Sequence, residues 1–359
     1  MSRLRLVILF AALILSIVVV PVLAQDAPTV GLSGNDALGP FLVGPNGMTL
    51  YSFPPDPLNQ TVCYNACAEN WPPLIVDSAD SLTMADGIPG TLGTIERENG
   101  DLQVSYNGVA LYYWKNDKAV GDTTGQLVGK NWFIVPPATV YPQRVGELGT
   151  VLVGPAGMTL YMFKNDTADT SNCYDQCAAN WPPLLVDSAD AIIPGQNLLG
   201  TFGTAERTDG TLQVTYNSMP LYYWKDDKAI GDTNGQGVGD NWFVVQPEVV
   251  GWREVGDMGS ILVANNGMTL YTFDNDTEGV SNCADDCLKN WPVAFVYPED
   301  ALTAGTDVSA TIASFVREDN KRVQLTYNGM PLYYFAEDKV PGDVNGDGKG
   351  EVWHVVHAG

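Results

Sequence analysis

Six cysteines stand as three C-x3-C pairs, Cys63/Cys67, Cys173/Cys177 and Cys283/Cys287. This spacing suits a local disulfide, a redox pair or half of a metal site. Residues four apart on a helix are near enough to bridge. The loop closed is so short that chain entropy contributes little. A constrained dithiol could be raised in reduction potential, which is the physical argument for a redox role. Two thiolates plus a histidine would suit copper, but the only histidines are His354 and His357, at the extreme C-terminus. Met48, Met158 and Met268 recur as soft donors, yet they follow turns on strands that read as core. An even cysteine count in an exported chain, two per repeat, points to disulfides within each repeat. A structural staple is the expectation. Redox exchange and copper handling are the alternatives.

A second candidate is a polar loop near the C-terminus. Asp343, Asn345 and Asp347, followed by Gly348, match positions 1, 3, 5 and 6 of an EF-hand-like calcium loop. The twelfth position is His354 rather than Glu. The equivalent loops, Gly121 to Gln126 and Gly231 to Gly237, keep fewer oxygen donors. The competing reading is a polar turn that uses Gly and Asn for its backbone. No catalytic signature is present. A nucleophile–His–acid set cannot be assembled in repeats without histidine, and no phosphate-binding Gly loop opens a helix. The expectation is a non-enzyme with no required cofactor, calcium and copper being the candidate metals.

One pattern runs through the chain six times: Gly, a short gap, then Leu-Tyr-x-aromatic-x-x-Asp. Its residues are Tyr51/Phe53/Asp56, Tyr112/Trp114/Asp117, Tyr161/Phe163/Asp166, Tyr222/Trp224/Asp227, Tyr271/Phe273/Asp276 and Tyr333/Phe335/Asp338. On a strand, residues two apart share a face. Each Tyr and its aromatic partner therefore point one way and the preceding Leu the other. The Asp falls at the strand end, where a carboxylate can close a turn or cap a helix. Packing accounts for aromatics at such positions. An exposed platform for sugars is the functional alternative.

This pattern, with a Cys and Trp-Pro segment between its two copies in each repeat, resembles the bacterial and archaeal secreted-repeat family labelled "predicted lipoprotein with conserved Yx(F/W/Y)xxD motif". The resemblance covers nearly all of residues 37 to 359. It implies export and tandem repetition, and no established activity. Many relatives carry a lipidated cysteine after the signal. Here no cysteine precedes Cys63, so a lipid anchor is not expected.

The elements that position these residues follow from a period of 110 residues, marked by the returns of Cys63 to Leu74 at Cys173 and Cys283. Three mainly β domains of about 100 residues are expected, over 37–138, 147–248 and 257–359. Each should hold antiparallel hairpins or a meander of about six strands, with one short Cys-bearing helical segment ended by Trp-Pro. Candidate linkers are 136–141 and 246–250. Arg3, Arg5, an apolar run and Val22-Leu23-Ala24 read as a signal peptide over 1–24. No later segment could span a membrane. With 18 Lys and Arg against 42 Asp and Glu, the net charge is −24. Such a surface excludes nucleic acid and anionic lipid as partners. The reading is a secreted or envelope binding or scaffold protein whose partner is an envelope protein or polysaccharide. Carbohydrate binding through exposed aromatics remains the other alternative.

Overall fold

The computed structural model describes residues 27–35 and 38–358. The expected signal peptide over 1–24 lies outside the described residues. In the first unit the strands are β1 (Gly31–Asn35), β2 (Gly39–Val43), β3 (Tyr51–Ser52), β4 (Ile75–Val76), β5 (Leu92–Glu96), β6 (Leu102–Tyr106), β7 (Val109–Ala110) and β8 (Phe133–Ile134), with one helix, α1 (Ala66–Asn70). The same order returns twice, so the molecule is mainly β with three short Cys-bearing helices among its described residues. β1 pairs antiparallel with β2. β3 pairs with β8 and so ties the front of the unit to its end. β6 is flanked by β4 and β5 and also pairs with β7.

Each unit has eight strands rather than about six. The additional opening strand, β1 and its equivalents Tyr141–Arg144 and Val250–Glu254, begins before the expected domain starts at 37, 147 and 257. Two of these strands begin inside the segments expected to be linkers. They carry little alternation, and Pro142 sits on a strand with one described partner, an edge position where a missing N–H is tolerated.

The two faces of the central strands fill separate cores, as the alternation of Leu and Tyr requires. Tyr51, Tyr112, Cys63, Trp71 and Trp132 pack on one side. Leu50, Leu111, Leu74 and Val104 pack on the other. The strands between them are short, and their pairing is closed by reciprocal backbone bonds. Tyr51 N–H donates to Tyr112 carbonyl at 2.8 Å, and Tyr112 N–H donates back at 2.9 Å.

The three units touch one another in all pairings. Between the first and second, Gln143 Nε2 donates to the Asn107 carbonyl at 3.0 Å. Between the second and third, Thr150 N–H donates to Asp300 at 2.9 Å, and Arg144 pairs with Glu299 at 3.0 Å. A side chain on Gly149 would lie 2.3 Å from the Glu299 carbonyl oxygen, so that approach needs glycine. Between the first and third, Leu127 packs against the third unit's core and Lys130 donates to the Asp338 carbonyl.

Candidate functional site

Within each unit the two copies of the motif face each other across a local twofold relation. In the first unit Tyr51 and Tyr112, Phe53 and Trp114, Asp56 and Asp117, and Trp71 and Trp132 are each 61 residues apart. Each tyrosine donates its hydroxyl to the aspartate of the other copy. Tyr51 reaches Asp117 at 2.7 Å and Tyr112 reaches Asp56 at 2.5 Å. The exchange recurs as Tyr161 with Asp227 and Tyr222 with Asp166. It recurs again as Tyr271 with Asp338 and Tyr333 with Asp276. All six tyrosines are fully buried. The second carboxylate oxygen closes the loop after its own strand, as when Val62 N–H donates to Asp56 and Thr124 N–H to Asp117. Each aspartate thus ties a local turn to the opposite half.

The aromatics of the motif form a stack rather than a platform. The order in the first unit is Phe53, Trp132, Trp71, Trp114, with ring centroids 4.4, 3.8 and 4.1 Å apart. Each motif aromatic covers the tryptophan of the other half. The second unit repeats this with Phe163, Trp242, Trp181 and Trp224, and the third with Phe273, Trp353, Trp291 and Phe335. The central two rings lie within 5° of parallel in every unit. Offset stacking of large rings combines area burial with quadrupole attraction. Gly125 packs on this group: a Cβ there would lie 2.8 Å from the Tyr51 ring and 2.9 Å from Trp71. Its loop therefore requires glycine for close approach.

The cysteines close as Cys63–Cys67, Cys173–Cys177 and Cys283–Cys287, with Cα separations of 5.2, 5.2 and 5.4 Å. The first of each pair is fully buried. It precedes the helix instead of lying in it, because Asn65, Asp175 and Asp285 turn the chain with positive φ. A buried arginine braces the staple. Arg97 Nη2 donates to the Cys63 carbonyl at 2.8 Å, and its Nη1 donates to Gln103. Arg207 and Arg317 do the same with Cys173/Gln213 and Cys283/Gln324. Sequence reasoning missed these arginines. Their signal was a cation recurring at the repeat period beside a half-buried strand.

At the calcium-loop candidate, Asp343 accepts from the backbone of Lys339 and Val340, at 2.6 and 3.1 Å. Asp347 accepts from Val355 N–H, and Asn345 N–H donates to Asp338. Asp122 and Asp232 close the same turn where the calcium pattern is missing. Turn chemistry thus accounts for Asp343. Among the described residues no three His, Cys, Asp or Glu side chains gather in a group fit for a metal ion.

Burial dominates the titration of the motif. It pushes Asp56 up from 3.8 to about 6, despite bonds from Tyr112 and Val62 N–H and the charge of Arg97 that favour the anion. Asp166, Asp227 and Asp276 are raised for the same leading reason. Their tyrosine partners are raised too, by burial first and the carboxylates next. A carboxyl whose folded pKa exceeds its unfolded value stabilises the fold below the unfolded pKa, and this contribution is lost as pH rises through the folded value. Stability is therefore expected to fall between pH 4 and about 6, with Asp56 contributing at most about 3 kcal/mol of that change. Thermal unfolding at stepped pH checks this. Asp56→Asn should flatten the slope, and an unchanged slope would show that Asp56 is not its source.

The family described as a secreted repeat of unknown function matches residues 33–75, 93–136, 144–185, 203–246, 255–295 and 314–357. No curated protein matches the chain. No solved structure matches it. Each matched segment is one half of a unit, the half that lends its aspartate and tryptophan to its neighbour. The family repeat is thus the half-unit, two copies complete one fold, and the chain belongs to the family of secreted repeats of unknown function.

Proposed function

We propose that this secreted chain works as a non-catalytic binding or scaffold protein of the cell envelope or extracellular space, offering a rigid acidic surface to its partners. The observation that carries the reading is that the residues with chemical potential are spent inside each unit. Every motif tyrosine is hydrogen-bonded to an aspartate, every motif aromatic is stacked, and the cysteines are joined. Among the described residues there is no free cysteine and no helix long and apolar enough to cross a membrane. A unit whose motif residues are so fully paired is held in one conformation, which suits a scaffold.

Redox exchange or copper handling by the cysteines requires thiolates that solvent can reach. Burial of Cys173 and the Arg207 bond to its carbonyl oppose this. The test is the reduction potential of the three pairs in the full chain, followed by native-state alkylation at stepped thiol ratios. Values below about −300 mV are expected of structural staples. Pairs that reduce well above that range, and exchange with an added dithiol while the fold persists, would overturn the scaffold reading.

A further inference from the structure

At the interface of the three units lies a partly open cavity of about 210 Å³. Its wall takes Phe53 and Phe133 from the first unit, Gln143 and Asn197 from the second, and Tyr297 and Tyr334 from the third. In contrast to the paired interiors of the units, the polar groups here are left over. Among the described residues, the buried side-chain atoms without a hydrogen-bond partner are Asn107 Nδ2, Tyr141 Oη, Gln143 Oε1, Arg144 Nε, Asn197 Oδ1 and Tyr297 Oη. Five of these six residues line the cavity, and Asn107 sits between two that do. Buried polar groups are nearly always satisfied, and such a concentration of orphans at one place calls for a ligand or ordered water. Gln143 is only 5% exposed. Its orientation is fixed, since Nε2 donates to the Asn107 carbonyl and leaves Oε1 unmatched. Asn107 Nδ2 and the Tyr141 hydroxyl stand close enough to serve each other, so the orphans that need an outside partner are Gln143 Oε1, Arg144 Nε, Asn197 Oδ1 and Tyr297 Oη.

We propose that this cavity is a binding site for a neutral polyhydroxylated molecule of about one six-membered ring, such as a monosaccharide or cyclic polyol. The charged side chains of the wall each already hold a partner, Asp56 accepting from Tyr112. Arg144 is paired with Glu299 and lies over the Tyr297 ring at 3.7 Å. Asp300 accepts from Thr150, and Lys130 donates to the Asp338 carbonyl. An anion would meet the amide oxygens of Gln143 and Asn197 and the carboxylates of Asp56 and Asp300, and a cation would meet Arg144 and Lys130. An apolar ligand would leave every orphan unpaired. Hydroxyl groups both donate and accept, so they can serve amide oxygens, phenols and Arg144 Nε together. The aromatic wall offers a surface for the C–H faces of such a ring. The volume is right, since a cavity of about 150 Å³ holds benzene.

The inference stands on the inter-unit geometry and not on the scaffold reading. An empty cavity would leave the scaffold intact, and redox-active cysteines would leave the cavity intact. The test is calorimetric titration and thermal shift of the full mature chain with glucose, galactose and myo-inositol. Glucuronate, glucosamine and the largely apolar cyclohexanol run beside them, up to roughly 100 mM, which exposes any millimolar Kd. A ligand this small is expected to bind in that range. Asn197→Leu should weaken the best neutral ligand about tenfold, the loss of one buried hydrogen bond. Tyr297→Phe, which keeps the wall's shape, should weaken it by a similar factor with no change in fold. Saturable binding of neutral polyols, lost in both variants, supports the site. No saturable binding, equal binding of charged or apolar probes, or binding indifferent to Tyr297→Phe would each overturn it, leaving ordered water as the occupant.

Discussion

Replacing Trp181 by alanine is expected to cost the second unit about 3–5 kcal/mol. Trp181 is 4% exposed and lies in the middle of the stack, 3.9 Å from Trp242 and 4.1 Å from Trp224. The edge of Tyr161 meets it at 5.3 Å. Alanine removes the transfer energy of the indole, leaves a cavity that rigid neighbours fill poorly, and breaks aromatic pairs each contributing about 0.5–1.5 kcal/mol beyond their area. Against a domain stability of about 5–15 kcal/mol, that is a large fraction. Trp224→Ala, at the half-buried end of the stack, should cost clearly less. Urea unfolding of the full chain, followed by near-UV circular dichroism, reads both. The second unit should separate as an earlier transition in the Trp181 variant, since multi-unit chains need not unfold in one step. Equal and small effects at the two positions would mean that the stack does not hold the halves together.

The second large effect is expected at Arg207. This buried guanidinium donates to Gln213 at 2.6 Å, to the Cys173 carbonyl at 2.8 Å and to Ser171 at 3.0 Å, and lies over the Tyr174 ring at 4.5 Å. Arg207→Met leaves the Gln213 and Cys173 oxygens without this donor, while Ser171 keeps its bond with Tyr222. At about 1–3 kcal/mol for each, the loss is about 2–6 kcal/mol. It also removes the positive charge that favours the Asp166 anion, so the pH dependence of stability should steepen. Lysine should not rescue it, because a point charge cannot reproduce the fork that serves three acceptors. In the double variant with Gln213→Met the losses should be less than additive, since one orphan disappears. Gln213 also donates to the Leu221 carbonyl, so rescue stays partial. Additive losses in that cycle would show that Arg207 and Gln213 act independently.

These variants bear on an architecture in which each half supplies what the other lacks. A single half-unit has an aspartate whose tyrosine is elsewhere and a tryptophan whose cover is elsewhere. Pairing halves is therefore obligatory, and it explains why six copies appear as three units.

The sequence by itself determined the period, the mainly β class, the Cys-bearing helical turn before Trp-Pro, and the sidedness of Leu50 against Tyr51. These are properties of local order: residue spacing, strand alternation and helix-ending proline act within a few residues. It also pointed to the family, because the Tyr-x-aromatic-x-x-Asp pattern is contiguous. Tertiary structure alone decided that Tyr51 serves Asp117 rather than Asp56, that Trp71 lies on Trp132, and that Arg97 braces a disulfide 34 residues away. Such partners are set by the twofold relation of the halves, and periodicity cannot show which copy meets which. The opening strands escaped notice because an edge strand bonded on one side needs no alternation. The inter-unit cavity was invisible for a related reason: Gln143, Asn197 and Tyr297 share no motif, and only the docking of three units leaves their polar atoms unpaired in one place.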